Sequence, residues 1–166
     1  MAMAWEVDRT CVKLAQARLP WLRHRGDLAT DSAQAVAAEI SKVDPGGRCM
    51  VILTAAPPCQ DFSRIGAQAG HAGARGSLFL QAVNFLNDLK EKIGERPVGF
   101  LFENVVMEPK EATPINQALG VEPVLVCASD FGWVSRPRLW WLSAPLQDLA
   151  VDPASGRPLD WTKQGS

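Results

Sequence analysis

Cys59 stands in Ala-Ala-Pro-Pro-Cys-Gln-Asp-Phe-Ser, and Glu103 in Phe-Leu-Phe-Glu-Asn-Val-Val. An isolated cysteine is ordinarily a small apolar core residue, and an isolated glutamate after a strand ordinarily turns to solvent. The surroundings favour a different use. Pro57 and Pro58 stiffen the loop that raises the Cys59 thiol ahead of a helix start, which suits an activated nucleophile. Three apolar residues lead into Glu103, and on the same rim as Cys59 its carboxyl becomes a candidate general acid.

These two residues need a scaffold that brings them to one place. Met3 to Val7 is strand-like, and Asp8 or Thr10 is suited to cap a helix over Cys11 to Arg18, which Pro20 stops. Leu22 to Arg25 predicts a brief strand, and Asp31 or Ser32 caps an alanine-rich helix through about Ile40. Pro45-Gly46-Gly47 is a turn. Cys49 to Thr54 is a continuous apolar run, the pattern of a strand buried on both faces of a parallel sheet. Ala55 to Arg75 is too long for a mere connection and reads as a functional loop. Leu78 to Leu89 has strong helical spacing, Val98 to Phe102 is a strand, and Pro114 to Leu119 predicts a short helix. Val121 to Val126 and Leu139 to Leu142 complete the strands.

This alternation predicts an α/β fold with a mostly parallel sheet. Ligands in such sheets bind beyond the carboxyl ends of the strands. Glu6, Asp27, the Pro57 to Gln60 stretch and Glu103-Asn104 all fall at or just past such ends, so they should converge on one rim.

Composition bounds the partners. The 166 residues suit one domain, and 47% hydrophobic with 21% charged is a globular balance. A formal net charge of -1 gives no global positive field, so any attraction to nucleic acid must be local. No apolar stretch approaches the ~20 residues of a membrane span, and the N-terminus lacks a secretory pattern. Four cysteines without a CxxC pair suggest neither a disulfide framework nor a metal site. An intracellular protein with free thiols is expected, in cytoplasm or nucleus according to the organism.

Five short motifs, in order and at matching spacing from about residue 4 to 145, resemble the cytosine-C5 methyltransferases. Pro58-Cys59-Gln60 is similar to their nucleophile motif and Glu103-Asn104-Val105 to their acid motif. Ser135-Arg136-Pro137-Arg138 is similar to their downstream arginine pair. Trp5-Glu6-Val7-Asp8 and Gly26-Asp27-Leu28 resemble their two cofactor motifs. The blocks around Glu103-Asn104-Val105-Val106-Met107 and Arg138-Leu139-Trp140-Trp141 are nearest the animal de novo DNA methyltransferases. Pro57 to Gln60 with Arg64-Ile65-Gly66 also resembles the tRNA-methylating branch. The longer arginine-aromatic match favours DNA.

The resemblance implies a Rossmann-like, S-adenosylmethionine-dependent core in which Cys59, Glu103, Arg136 and Arg138 act on a flipped cytosine. Cys59 would add to C6, Glu103 would bond N3 and the exocyclic amine, Arg138 would hold O2, and Arg136 would support it or a phosphate. Pro58, Gln60, Ser63, Arg64 and Asn104 would contact the substrate, with Arg64 and Arg75 supplying positive charge from the closing loop. Glu6 would accept from the ribose hydroxyls of the cofactor and Asp27 from the adenine amine. Val7 and Leu28 would sandwich the ring, and Pro57 and Leu78 would lie near the rest of the molecule. Trp133, Trp140 and Trp141 are expected to serve as core and cover rather than as a base-stacking platform.

The family's opening strand and Phe-x-Gly-x-Gly turn have no counterpart here, nor do its target-recognition segment and final helix. A core fragment over residues 1–145 with an irregular tail over 146–166 is therefore expected, without activity of its own. Removing a central strand would leave a slot of ~9.6 Å, two spacings of ~4.8 Å. Buried backbone does not tolerate such a gap, so the sheet must close up, borrow a strand from a partner chain, or rely on a missing segment. A non-catalytic remnant serving as a binding module is the alternative from a different functional class.

Overall fold

The computed structural model describes residues 1–58, 76–130 and 132–144. Strands and helices alternate as expected: β1 (Met3–Trp5), α1 (Arg9–Arg18), β2 (Arg23–Gly26), α2 (Ala33–Val43), β3 (Val51–Ala55), α3 (Gly76–Ile93), β4 (Val98–Val105), α4 (Pro109–Leu119), β5 (Val124–Cys127) and β6 (Pro137–Leu142). Single 3-10 turns cover Leu28–Thr30 and Ala128–Asp130. The residues divide into two units. One contains Met1–Cys49 with Asn84–Arg96, the other Met50–Val83 with the chain from Pro97 onward.

In the first unit β1 and β2 pair in parallel, with Ala4 opposite His24 and Trp5 opposite Gly26. Asp8 starts α1 by accepting from the backbone N–H groups of Thr10 at 2.7 Å and Cys11 at 3.0 Å. Such a cap stabilises a helix by about 1 kcal/mol. Ser32 caps α2 through the N–H of Ala35. Small residues on α2 let it pack closely, and Ala33, Val36 and Ala37 are buried. Trp5 meets Phe85 edge-on at 5.3 Å between ring centroids, and its indole N–H donates to Asp31 at 2.6 Å. Arg25 grips the same carboxylate at 2.5 and 2.9 Å and Glu39 at 2.6 Å. Arg96 pairs with Asp44, whose carboxylate also accepts from the Cys49 N–H at 2.8 Å.

The second unit holds a four-stranded sheet in the order β3-β4-β6-β5. Its core is aromatic. Phe79 packs against Phe102 at 5.4 Å and against Trp141 at 5.3 Å, and all three are fully buried. Burying a side chain of this size stabilises by about 1.5–3 kcal/mol. Ala112 and Ile115 of α4 are also buried, and the Trp141 indole donates to Asn116 at 2.8 Å, so the ring's one polar atom is satisfied.

Four expectations need correction. The sheet is mixed rather than mostly parallel: β3 and β4 are parallel, but β6 runs antiparallel to both of its neighbours. Strands this short say nothing in sequence about direction, which the short connection from β5 to β6 decides. β3 is not covered on both faces either. Leu53 is buried, while Ile52 on the other face is 64% exposed, because α3 and α4 pack on the Phe102 and Trp141 side. Finally, Glu103 and Asn104 lie inside β4, which continues to Val105 because β6 supplies ladder partners through Arg138. The strands form two sheets rather than one closed sheet.

Candidate active site

Within the four-stranded sheet, Glu103 pairs opposite Trp140 and Val105 opposite Arg138. Arg138 is thereby the diagonal cross-strand neighbour of Glu103 on the same face, within reach of long side chains. Arg138 Nε meets Glu103 Oε1 at 2.7 Å, and each side chain is only 20% exposed. The Arg138 Nη1 also donates to the Pro137 carbonyl at 2.8 Å. A carboxyl and a guanidinium held this way present a donor and an acceptor side by side at the end of β4. Arg136 is exposed.

Asn104 points the other way from Glu103 and is 1% exposed. Its Nδ2 donates to the Pro57 carbonyl at 3.4 Å, and its Oδ1 accepts from the Val105 N–H at 2.8 Å. It therefore ties the segment leaving β3 to the residue beside Glu103. Pro57 is half-buried, Pro58 exposed, and Leu78 half-buried near the start of α3. Cys59, Gln60, Ser63, Arg64 and Arg75 lie outside the described residues.

One cluster was not anticipated. The Cys127 sulfur accepts from Ser129 Oγ at 2.9 Å and from the Arg136 N–H at 3.3 Å, and its own N–H donates to Asp130 at 3.1 Å. The Ser129 hydroxyl and the backbone donors hold the thiol below its ordinary value. With the Ala128 N–H on the Arg136 carbonyl at 3.4 Å, these bonds close the neck of the connection from β5 to β6. The only sequence signal was Ser129 and Ser135, both ahead of the arginine pair, which by itself is unremarkable.

In the two-stranded sheet, Trp5 lies opposite Gly26, so the next residues, Glu6 and Asp27, emerge together at the carboxyl ends of parallel strands. Gly26 makes the exit with φ 84°, a left-handed conformation that glycine adopts without strain. Glu6 Oε1 accepts from the Asp8 N–H at 2.8 Å, and Asp27 Oδ1 from the Ala29 N–H at 2.9 Å. The second oxygen of each carboxylate has no partner among the described residues. Val7 is 68% exposed and Leu28 half-buried beside them. The structure thus brings the Glu6 and Asp27 carboxylates to neighbouring strand ends, with Val7 and Leu28 as the residues that follow them.

Trp133 departs from the expectation of core or cover. Trp141 is buried, Trp140 half-buried, and Trp133 105% exposed. The reason is its position: Trp140 and Trp141 lie in β6, whereas Trp133 precedes the strand and has no sheet face to occupy.

Comparison with known proteins places these features in context. The model of the C-5 cytosine-specific DNA methylase family matches residues 2–112. A type II methyltransferase, M.NlaX of Neisseria lactamica, is 34% identical over 101 residues, covering 60% of this chain and 26% of its own. The structure of S. pombe Dnmt2 methyltransferase is similar with a TM-score of 0.59 at 21% identity, over 86% of this chain and 41% of that one. The Entamoeba histolytica methyltransferase EhMeth gives 0.65 at 13% identity, over 95% and 48%. These likenesses show a Rossmann-like methyltransferase fold. The chain spans about a quarter of the curated relative's length and under half of each solved structure.

Proposed function

Because the chain belongs to the C-5 cytosine-specific DNA methylase family, we propose that it carries the catalytic core of a DNA (cytosine-5-)-methyltransferase. The observation that supports this reading is the Glu103–Arg138 pair at 2.7 Å. Its two functional groups complement one edge of cytosine: the carboxyl for N3 and the exocyclic amine, the guanidinium for O2. Arg136, exposed on the same strand approach, is suited to a phosphate.

Cytosine C5 is a poor nucleophile. Addition of the Cys59 thiolate to C6 makes C5 enamine-like, splitting one difficult step into easier ones. Glu103 stabilises the charge that develops on the ring as sulfur attacks. After methyl transfer, loss of the C5 proton and expulsion of the thiolate restore the ring. The target base must leave its stack to reach the thiol. Asn104, through Pro57, acts on the segment that carries Cys59 and is a positioning residue.

Methyltransferases of this family use S-adenosylmethionine, which supplies an electrophilic methyl on a sulfonium. The paired carboxylates of Glu6 and Asp27 fit its ribose and adenine amine, with Val7 and Leu28 as apolar flanks. Pro57 and Leu78 are proposed for the remainder. Residues 1–145 constitute the proposed core; residues 145–166 lie outside the described residues. The outer edge of β3, unpaired among the described residues, is where a strand from a partner chain or a further segment would add. Among the described residues no helix is long and apolar enough to cross a membrane.

The test is covalent trapping on duplex DNA containing 5-fluorocytosine. S-adenosylmethionine is present, with a polypeptide bearing a Phe-x-Gly-x-Gly strand supplied in trans. A denaturation-stable adduct that Cys59→Ser abolishes is expected. Unchanged trapping by Cys59→Ser, or trapping confined to tRNA, overturns the proposal; no adduct with any nucleic acid points to a binding remnant.

A further inference from the structure

Trp133 is the most exposed large apolar side chain among the described residues, at 105%, and Val134 beside it is 66% exposed. Exposing an indole to water is unfavourable by roughly 1.5–3 kcal/mol relative to burial for a large apolar side chain, and Trp133 with Val134 makes two such side chains in succession. One cation on the same segment is left over. Arg136 follows three residues later with no ion-pair partner among the described residues, whereas Arg138, at the start of β6, is paired with Glu103. The connection is not a loose tip. Its neck is fastened by the Ala128 N–H on the Arg136 carbonyl and by the Cys127 sulfur on the Arg136 N–H and Ser129 hydroxyl. A tethered neck lowers the entropy lost when the aromatic is immobilised by a partner.

We propose that Trp133 stacks on a DNA base neighbouring the methylation target, while Arg136 meets the phosphate of the same strand. This rests on the nucleic-acid methyltransferase reading and assigns a further base-contacting residue to it. Three residues reach no more than about 10 Å at ~3.3–3.6 Å each, within a few nucleotides at ~3.4 Å of rise per nucleotide. One segment can therefore hold a base and its nearby phosphate together. Every base has a π-face, so stacking of this kind tolerates any sequence. Its value is greatest where a flipped cytosine leaves its neighbours partly unstacked. The Arg136 charge on the same segment favours an occupant that carries a phosphate beside its aromatic face.

The experiment is fluorescence anisotropy of a labelled DNA duplex carrying one mismatched cytosine, titrated with the full chain across a salt series. Trp133→Ala is expected to weaken binding by about 5- to 140-fold, the range for loss of one stacked base, without changing the slope of log K against log salt. Trp133→Phe should restore most of the loss. Arg136→Ala should instead flatten the slope by about one counterion. Because Trp133 touches solvent, the urea midpoint of Trp133→Ala should match the parent. Parent-like affinity of Trp133→Ala, with Arg136→Ala still weakened, overturns the stacking proposal and leaves the methyltransferase reading standing. Loss that Phe does not rescue, or an effect seen with tRNA but not DNA, also overturns it. A parent chain that binds no DNA overturns the stacking proposal, while the methyltransferase reading is decided by the trapping experiment.

Discussion

The Asn104 side-chain amide donates to the Pro57 carbonyl at 3.4 Å, joining residues 47 positions apart in the chain. Because Asn104 is 1% exposed, this bond is formed in a dry environment, where an unmade bond costs most. Its effect is to fix the exit from β3, two residues before Cys59, relative to the strand that carries Glu103. The strand alternation puts Asn104 inside and Glu103 on the opposite face, so adjacent residues have different surroundings.

Asn104→Ala should therefore destabilise the chain by about 1–3 kcal/mol, the usual cost of an unsatisfied buried group. Asn104→Asp should cost more, since it sets a carboxylate against the carbonyl. Urea unfolding measures both. Adduct formation on 5-fluorocytosine DNA should slow in each variant while equilibrium DNA affinity holds, a split that general unfolding would not produce.

Glu103→Gln should slow adduct formation by about 10²–10⁴-fold, the range for losing a positioned general acid. Arg138→Lys should also fail, because a point charge does not reproduce a planar fork. Rapid-quench trapping reads the rates. Near-parent rates in either variant would remove the Glu103–Arg138 pair from the mechanism.

The thiols should separate by pH. Hydrogen bonds from Ser129 hold Cys127 below the ordinary thiol value, whereas the Asp8 carboxylate pushes Cys11 above it. Mass-spectrometric mapping of iodoacetamide labelling should give Cys127 the lower half-maximal pH, although Cys11 is the more exposed. Ser129→Ala should move the Cys127 profile upward. The reverse order of the two thiols would contradict the hydrogen-bonded neck.

Asp31 is lowered to about 2 by the Arg25 guanidinium, with the Trp5 indole and Ser32 N–H adding to it. A carboxylate whose folded value lies below its unfolded value, about 3.9, adds stability above the unfolded value. That contribution is lost as pH falls from about 4 through about 2. Asp31→Asn should cost about 1.5–3 kcal/mol at pH 7, as for hydrogen bonds to a charged group. The gap to the parent in denaturant midpoint should shrink across that acid window. A gap independent of pH would mean that packing rather than charge holds Arg25.

The sequence by itself determined the order of elements and most of their ends. Local signals suffice for this: Asp8 and Ser32 as caps, the helical spacing from Leu78 to Leu89, the apolar runs of β3 and β4. It also placed Glu6 and Asp27 at neighbouring strand ends, because a parallel strand end places its next residue predictably. Tertiary structure decided strand direction in the second sheet, and with it the ion pair. Arg138 reaches Glu103 only because β6 runs antiparallel to β4, a register set by contacts between distant residues. It likewise decided which of three similar tryptophans is buried: Trp141 packs against Phe79 of α3, while Trp133 has no partner surface among the described residues. Periodicity describes a side chain's relation to its own strand; what lies opposite depends on the rest of the chain.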